Sequence, residues 1–126
     1  MINNNLNINI NVNSKYIPER SIVEDSLFYF MYNVNITNNG TEEVKLLSRH
    51  WDIFDALGNL NEIDGKGVIG ETPTIKPGEN FSYSSFCPLK TEFGKMKGFY
   101  TFRNNKGEVF KTAIPEFALI IPNQVN

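Results

Sequence analysis

Four groups of residues in this 126-residue chain have types and spacings suited to chemistry. Gly65-Lys66-Gly67-Val68-Ile69-Gly70 is a literal G-x-G-x-x-G, the pattern whose backbone holds a pyrophosphate where a strand opens into a helix. His50 lies in Ser48-Arg49-His50-Trp51-Asp52, which contains a hydroxyl, an imidazole and a carboxylate, the side-chain types of a nucleophilic triad. Asp52, Asp55, Glu62 and Asp64 offer oxygen ligands for magnesium or calcium. Cys87 is the single thiol.

Context narrows each of them. The glycine run is followed by Glu71-Thr72-Pro73-Thr74-Ile75-Lys76-Pro77-Gly78, which cannot form the helix that a dinucleotide site needs. A glycine-permitted turn or bulge is expected. A loop at Gly65, Lys66, Gly67 and Gly70 that holds a phosphorylated nucleotide or pyrophosphate is kept as the alternative. In an extended chain the Cβ atoms of Ser48, His50 and Asp52 lie about 6.6 Å apart, too far for direct triad hydrogen bonds, so His50 reads as structural and no catalytic residue is assigned. The four acids match no EF-hand spacing, and one His with one Cys cannot complete a zinc site. No metal or other cofactor is therefore expected, with direct magnesium or cobalt binding by the Asp52 to Asp64 acids kept as a third reading. Cys87 falls on the inward parity of its strand and reads as buried and inert. Trp51 reads as a core anchor, and Arg49 as a bridge to a carboxylate near a sheet edge.

The elements that position these residues read as strands. Leu6 to Val12 alternates apolar and polar with period two, and in Leu27 to Thr37 the residues Phe28, Phe30, Tyr32, Val34 and Ile36 share one face. Asn38-Asn39-Gly40 reads as a turn that accommodates positive φ. Val44 to Phe54 is apolar on both parities, which suits a central strand with a bulge. Phe81 to Cys87 and Met96 to Phe102 alternate again, and Asn104-Asn105-Lys106-Gly107 turns the chain into Glu108 to Ile114. Seven or eight short strands without helical periodicity predict an all-β, immunoglobulin/fibronectin-III-like antiparallel β-sandwich in one domain over residues 1–126.

Composition bounds the function. Ten Phe, five Tyr and one Trp exclude disorder, and a net charge of −2 excludes a generic phosphate-backbone binder, so no nucleic-acid partner is expected. The longest apolar run, Leu27 to Tyr32, is far short of the roughly 20 residues of a membrane span. With no secretory signal and a lone cysteine, a soluble cytoplasmic chain is expected. Charge is uneven within the chain: Glu42 to Glu79 holds eight acids and four bases, whereas Lys90 to Lys111 holds six bases and two acids. Lys95, Lys97, Phe99 and Arg103 fall on one face of the C-terminal hairpin, which makes that face the candidate partner surface, with Phe99 expected to stand exposed.

Leu46-Leu47-Ser48-Arg49-His50-Trp51, Gly65 to Pro73, Ile75-Lys76-Pro77-Gly78, Cys87-Pro88-Leu89, Met96-Lys97-Gly98 and Ile114-Pro115-Glu116-Phe117 together resemble the ApaG family, also called CorD, in order along nearly the whole chain. The resemblance implies a fibronectin-III or immunoglobulin-like sandwich in a bacterial cytosolic protein. Similar domains occur in some F-box proteins and in a DNA-polymerase-delta-interacting protein. It also implies an association with cobalt and magnesium resistance or efflux, and a pyrophosphate reading of the motif at Gly65, Gly67 and Gly70. The expected function is a non-enzymatic protein-interaction module, a monomer or weak homo-oligomer, with any role in divalent-cation handling indirect.

Overall fold

The computed structural model describes residues 7–122. Its strands are β1 Ile8–Tyr16, β2 Phe28–Asn38, β3 Val44–Asp55, β4 Leu60–Lys66, β5 Thr74–Ile75, β6 Asn80–Leu89, β7 Phe93–Asn104 and β8 Val109–Ile120. Two short 3₁₀ turns, Pro18–Arg20 and Val23–Asp25, are the only helical segments among the described residues. One antiparallel sheet has the order β1-β2-β6. The other runs β4-β3-β7-β8, with β5 pairing β3 beyond the end of β4. The expected antiparallel sandwich is what the chain forms.

Period-two patterning builds the core. Phe28, Phe30, Tyr32, Val34 and Ile36 of β2 all point inward, facing Trp51 of β3, Tyr100 and Phe102 of β7 and Leu119 of β8, each of these buried. Burying such side chains contributes about 2 kcal/mol apiece. The two sheets also meet through a hydrogen bond between the Tyr83 and Tyr100 hydroxyls, which satisfies two phenols that burial would otherwise penalise. In β3 the pairing with β7 shifts register between Leu46 and Ser48. That bulge reverses the parity, so Val44 and Leu46 on one side of it and Trp51 and Ile53 on the other are all buried, and it explains a strand that is apolar on both parities.

The turn after β2 departs from expectation. Gly40 has no positive φ; instead Asn38, fully buried, accepts the Gly40 N–H on its Oδ1 and donates Nδ2 to the carbonyls of Glu42 and Ile75. The side chain supplies the turn geometry that a left-handed glycine would have supplied. The N-terminal alternation is seen from Ile8 onward and continues to Tyr16, while Leu6 lies outside the described residues.

The two flanks of the sandwich differ. On one, β1 and β8 approach, and the Ser14 hydroxyl donates to the Ala118 carbonyl at 2.6 Å. On the other, β4 pairs only with β3 and β6 only with β2 among the described residues, and the sheets part to leave a cleft.

Candidate functional site

Strand β3 carries both halves of the candidate site, because successive residues point to opposite faces. His50 and Asp52 point outward, opposite Asp64 and Glu62 of β4 and Phe99 and Lys97 of β7. His50 Nδ1 lies 2.7 Å from Asp64 Oδ1 and Nε2 lies 2.9 Å from Asp52 Oδ1. Carboxylates only accept, so both contacts are hydrogen bonds at once only when the ring is an imidazolium. The Asp64 hydrogen bond leads the causes that raise the His50 pKa above its ordinary value, with Asp52 adding to it and burial opposing it. The direct His50–Asp52 bond corrects the expectation that residues two apart on a strand are out of reach: their Cβ atoms are distant, but the two side chains lean together along the strand.

Phe99 stacks on the His50 ring with centroids 4.9 Å apart and 18° between planes, and Lys111 Nζ sits 4.6 Å from the Phe99 centroid. Phe99 is therefore half-buried within a stack, and the expectation of a conspicuously exposed aromatic is wrong. Lys95, Lys97 and Arg103 do share its face and are exposed, but Lys95 and Lys97 lie over the Phe54 ring, and Lys95 also pairs with Glu116 at 3.5 Å.

The four acids do not form one group. Asp52, Glu62 and Asp64 gather around His50, and His50, Asp52 and Glu62 offer ligand atoms within 4.8 Å of one another. A cation there competes with the imidazolium, whose ring must lose a proton to coordinate. Asp55 stands apart at the β3–β4 turn, where hydrogen bonds from the Asn59 side chain and from the backbone of residues 57–59 lower its pKa.

Arg49 points the other way. Its Nη1 donates to the carbonyls of Lys66 and Gly67 at 3.2 and 2.8 Å, not to the carboxylate expected for it. The guanidinium lies over Gly65, where an added Cβ would come within 2.6 Å of it. The glycine run thus begins as the end of β4 clamped by Arg49. It then folds into a tight hairpin: Val68 and Glu71 exchange both N–H···O bonds, with Ile69 at φ 44° and Gly70 at φ 77°. Positive φ at both central residues defines a type I′ turn. The N–H groups of Gly67, Val68 and Glu71 donate to the carbonyls of Leu47, Glu71 and Val68, so these three already have acceptors within the protein.

Between β4 and β6 lies a cleft of about 280 Å³. Arg49, Trp51 and Ile53 form its β3 wall, Asn61 and Ile63 one lip, and Ser85, Cys87 and Pro88 the other. A second hollow of about 420 Å³ shares Ile53, Asn61 and Pro88 and continues the groove to Leu60 and Lys90. Cys87 is buried as expected, and burial pushes its thiol up to about 11, which leaves it a poor nucleophile at neutral pH. Trp51 is the core anchor expected, 1% exposed, yet its indole Nε1 has no hydrogen-bond partner among the described residues. Sequence reasoning missed this cleft. Its signal was a two-sheet fold whose β4 and β6 are both edge strands, which appears only with the strand order.

The ApaG domain model matches residues 18–104. Protein ApaG of Methylobacterium sp. (strain 4-46) is 47% identical over 116 residues, 92% of this chain and 89% of that one. Protein ApaG of Brucella anthropi is 46% identical over 109 residues, 86% and 84% of the two chains. Among solved structures, a crystal structure from Bordetella pertussis superposes with a TM-score of 0.90 at 38% identity, covering 93% of this chain and 95% of that one. The domain match over most of the chain and relatives at this level of identity lead to one assignment: the chain belongs to the ApaG family.

Proposed function

We propose that this chain is a non-enzymatic protein-binding module that receives its partner on the open β4/β6 flank. The observation that carries this reading is the groove itself, rimmed by Leu60, Ile63 and Phe86, which stand 49%, 38% and 42% exposed. Apolar side chains gathered at a cleft mark interaction surfaces more than scattered ones do. The glycine run lends less support to a nucleotide site, because the N–H groups of Gly67 and Val68, and of Glu71 just after the run, are already engaged. Any bearing on cobalt or magnesium handling is indirect and runs through the partner.

The test pairs capture with substitution at the rim. Wild-type protein at endogenous level is expected to retain a specific partner that Ile63→Glu combined with Phe86→Glu loses, while the melting temperatures of the two proteins agree. Retention by the double variant overturns the location. Nucleotide turnover by purified protein, abolished by His50→Ala, overturns the non-enzymatic reading.

A further inference from the structure

The open flank presents two strand edges of different character. In the β3–β4 ladder Asp55 N–H donates to Asn59 O and Gly67 N–H donates to Leu47 O, so odd-numbered residues of β4 exchange hydrogen bonds with β3. Glu62 and Asp64 therefore turn their backbone N–H and C=O groups toward the free edge. In the β2–β6 ladder Asn38 N–H donates to Glu79 O, which by the same alternation turns the even residues of β6 outward, Pro88 among them. Pro88 has no N–H to offer, so the β6 edge is interrupted where it borders the cleft. The β4 edge carries no such block.

Chemistry behind that edge is unbalanced. Arg49 has five N–H donors; only Nη1 is used, on two carbonyls, and no carboxylate lies within ion-pair distance of it among the described residues. Trp51, on the same wall, has an indole N–H without an acceptor. The β3 wall of the cleft thus carries guanidinium donors with no carboxylate to match them. On the outer face the same strand shows Glu62, Asp64 and Lys66, a net negative row.

We propose that an extended segment of the partner adds to the free edge of β4, placing a carboxylate side chain in the cleft against Arg49 and Trp51 and basic side chains over Glu62 and Asp64. Period two makes these demands compatible, since alternate residues of one strand face opposite sides of the sheet. A second copy of this chain fits less well, because it brings the same net negative row. This inference rests on the protein-binding reading above and names the chemistry of the partner.

The probe is the capped heptapeptide Lys-Val-Lys-Glu-Lys-Val-Lys, titrated into ¹⁵N-labelled full-length protein. Trp51 is the sole tryptophan, so its indole resonance reports the cleft without ambiguity. Saturable movement of that resonance together with the amides of Glu62 and Asp64 is expected. The Glu→Gln heptapeptide should bind about threefold weaker or worse, and Glu62→Lys protein about two- to fivefold weaker to the parent peptide, the range of a cross-strand charge pair. No movement at millimolar peptide, or equal affinity for the Gln peptide, overturns the proposal, as does movement of the same resonances on concentrating the protein alone, which assigns the edge to a second copy. If the peptide fails while partner capture still depends on Ile63 and Phe86, the strand-addition inference falls and the binding-module reading stands. If capture is also insensitive to that rim, both fall.

Discussion

The two outer faces of the sandwich meet the same solvent by different means. On the β1-β2-β6 face, Asn11, Asn35 and Ser82 lie in one cross-strand row and Asn13, Asn33 and Ser84 in the next. The Ser82 hydroxyl donates to Asn35 Oδ1 at 2.7 Å, and Ser84 makes the equivalent bond to Asn33. On the β4-β3-β7-β8 face the corresponding positions hold an imidazole ring between two carboxylates, stacked on an aromatic ring capped by a lysine. The two rows of the first face are uncharged and their hydrogen bonds do not titrate. The second face concentrates its energetics in charge and stacking, so pH and single substitutions should act there first.

The largest difference between the faces should come from the backbone. Beneath the His50 stack, β7 approaches β3 so closely that a Cβ on Gly98 would lie 1.9 Å from the His50 carbonyl oxygen, next to the register shift between Met96 and Gly98. Gly98→Ala must push β7 away from β3 and should destabilise the fold by about 3 kcal/mol, the upper range for forced overpacking. Urea unfolding measures it, and a loss within experimental error of zero would show that the two strands have slack there.

Next comes titration. His50 has a raised pKa in the folded chain, so its contribution is complete below the unfolded value of about 6.5 and disappears as pH rises through the higher folded value. His50→Gln should cost about 1 kcal/mol at pH 5.5, discounted because Asp64 is largely exposed, and little at pH 8.5. A cost that is the same at both pH values would mean that the ring is neutral and the carboxylates are held some other way. Phe99→Ala should give a loss of about 1 kcal/mol from the stack and the Lys111 contact, and should also lower the His50 pKa if the ring helps to hold the imidazolium in place. An NMR titration of His50 separates these effects.

How much of this was legible in the sequence depends on range. Alternation alone placed Phe30, Tyr32, Val34 and Ile36 inward and Trp51 and Cys87 in the core, because period two is a local property of the chain. The bulge in β3 was visible as apolar character on both parities. Arg49 was read correctly as a bridge but given the wrong acceptor, since its partners are carbonyls contributed by the end of β4. Phe99 was read as exposed because nothing local shows that the β3–β7 register sets it opposite His50. The His50–Asp52 bond was dismissed on Cβ spacing, which ignores how far an imidazole and a carboxylate can lean. The cleft was illegible for the same reason as Phe99: it is made by the order of strands within two sheets, and a single sequence carries almost no signal for that order.

The smallest expected effect lies in the uncharged asparagine and serine rows and completes the contrast. Ser84→Ala removes the hydroxyl that donates to Asn33, leaving an exposed amide oxygen that water can satisfy at once. Because neither partner is buried or charged, the change should stay within about 0.5 kcal/mol, as surface substitutions away from strained or buried features do, and it should be the same at pH 5.5 and 8.5. If Ser84→Ala instead matched His50→Gln at pH 5.5, the asparagine and serine rows would have to act as a cooperative lattice. Asn33→Ala combined with Ser84→Ala decides this, since independent surface groups give additive losses while a lattice gives a coupling energy well above the roughly 0.3–0.5 kcal/mol scatter of additivity.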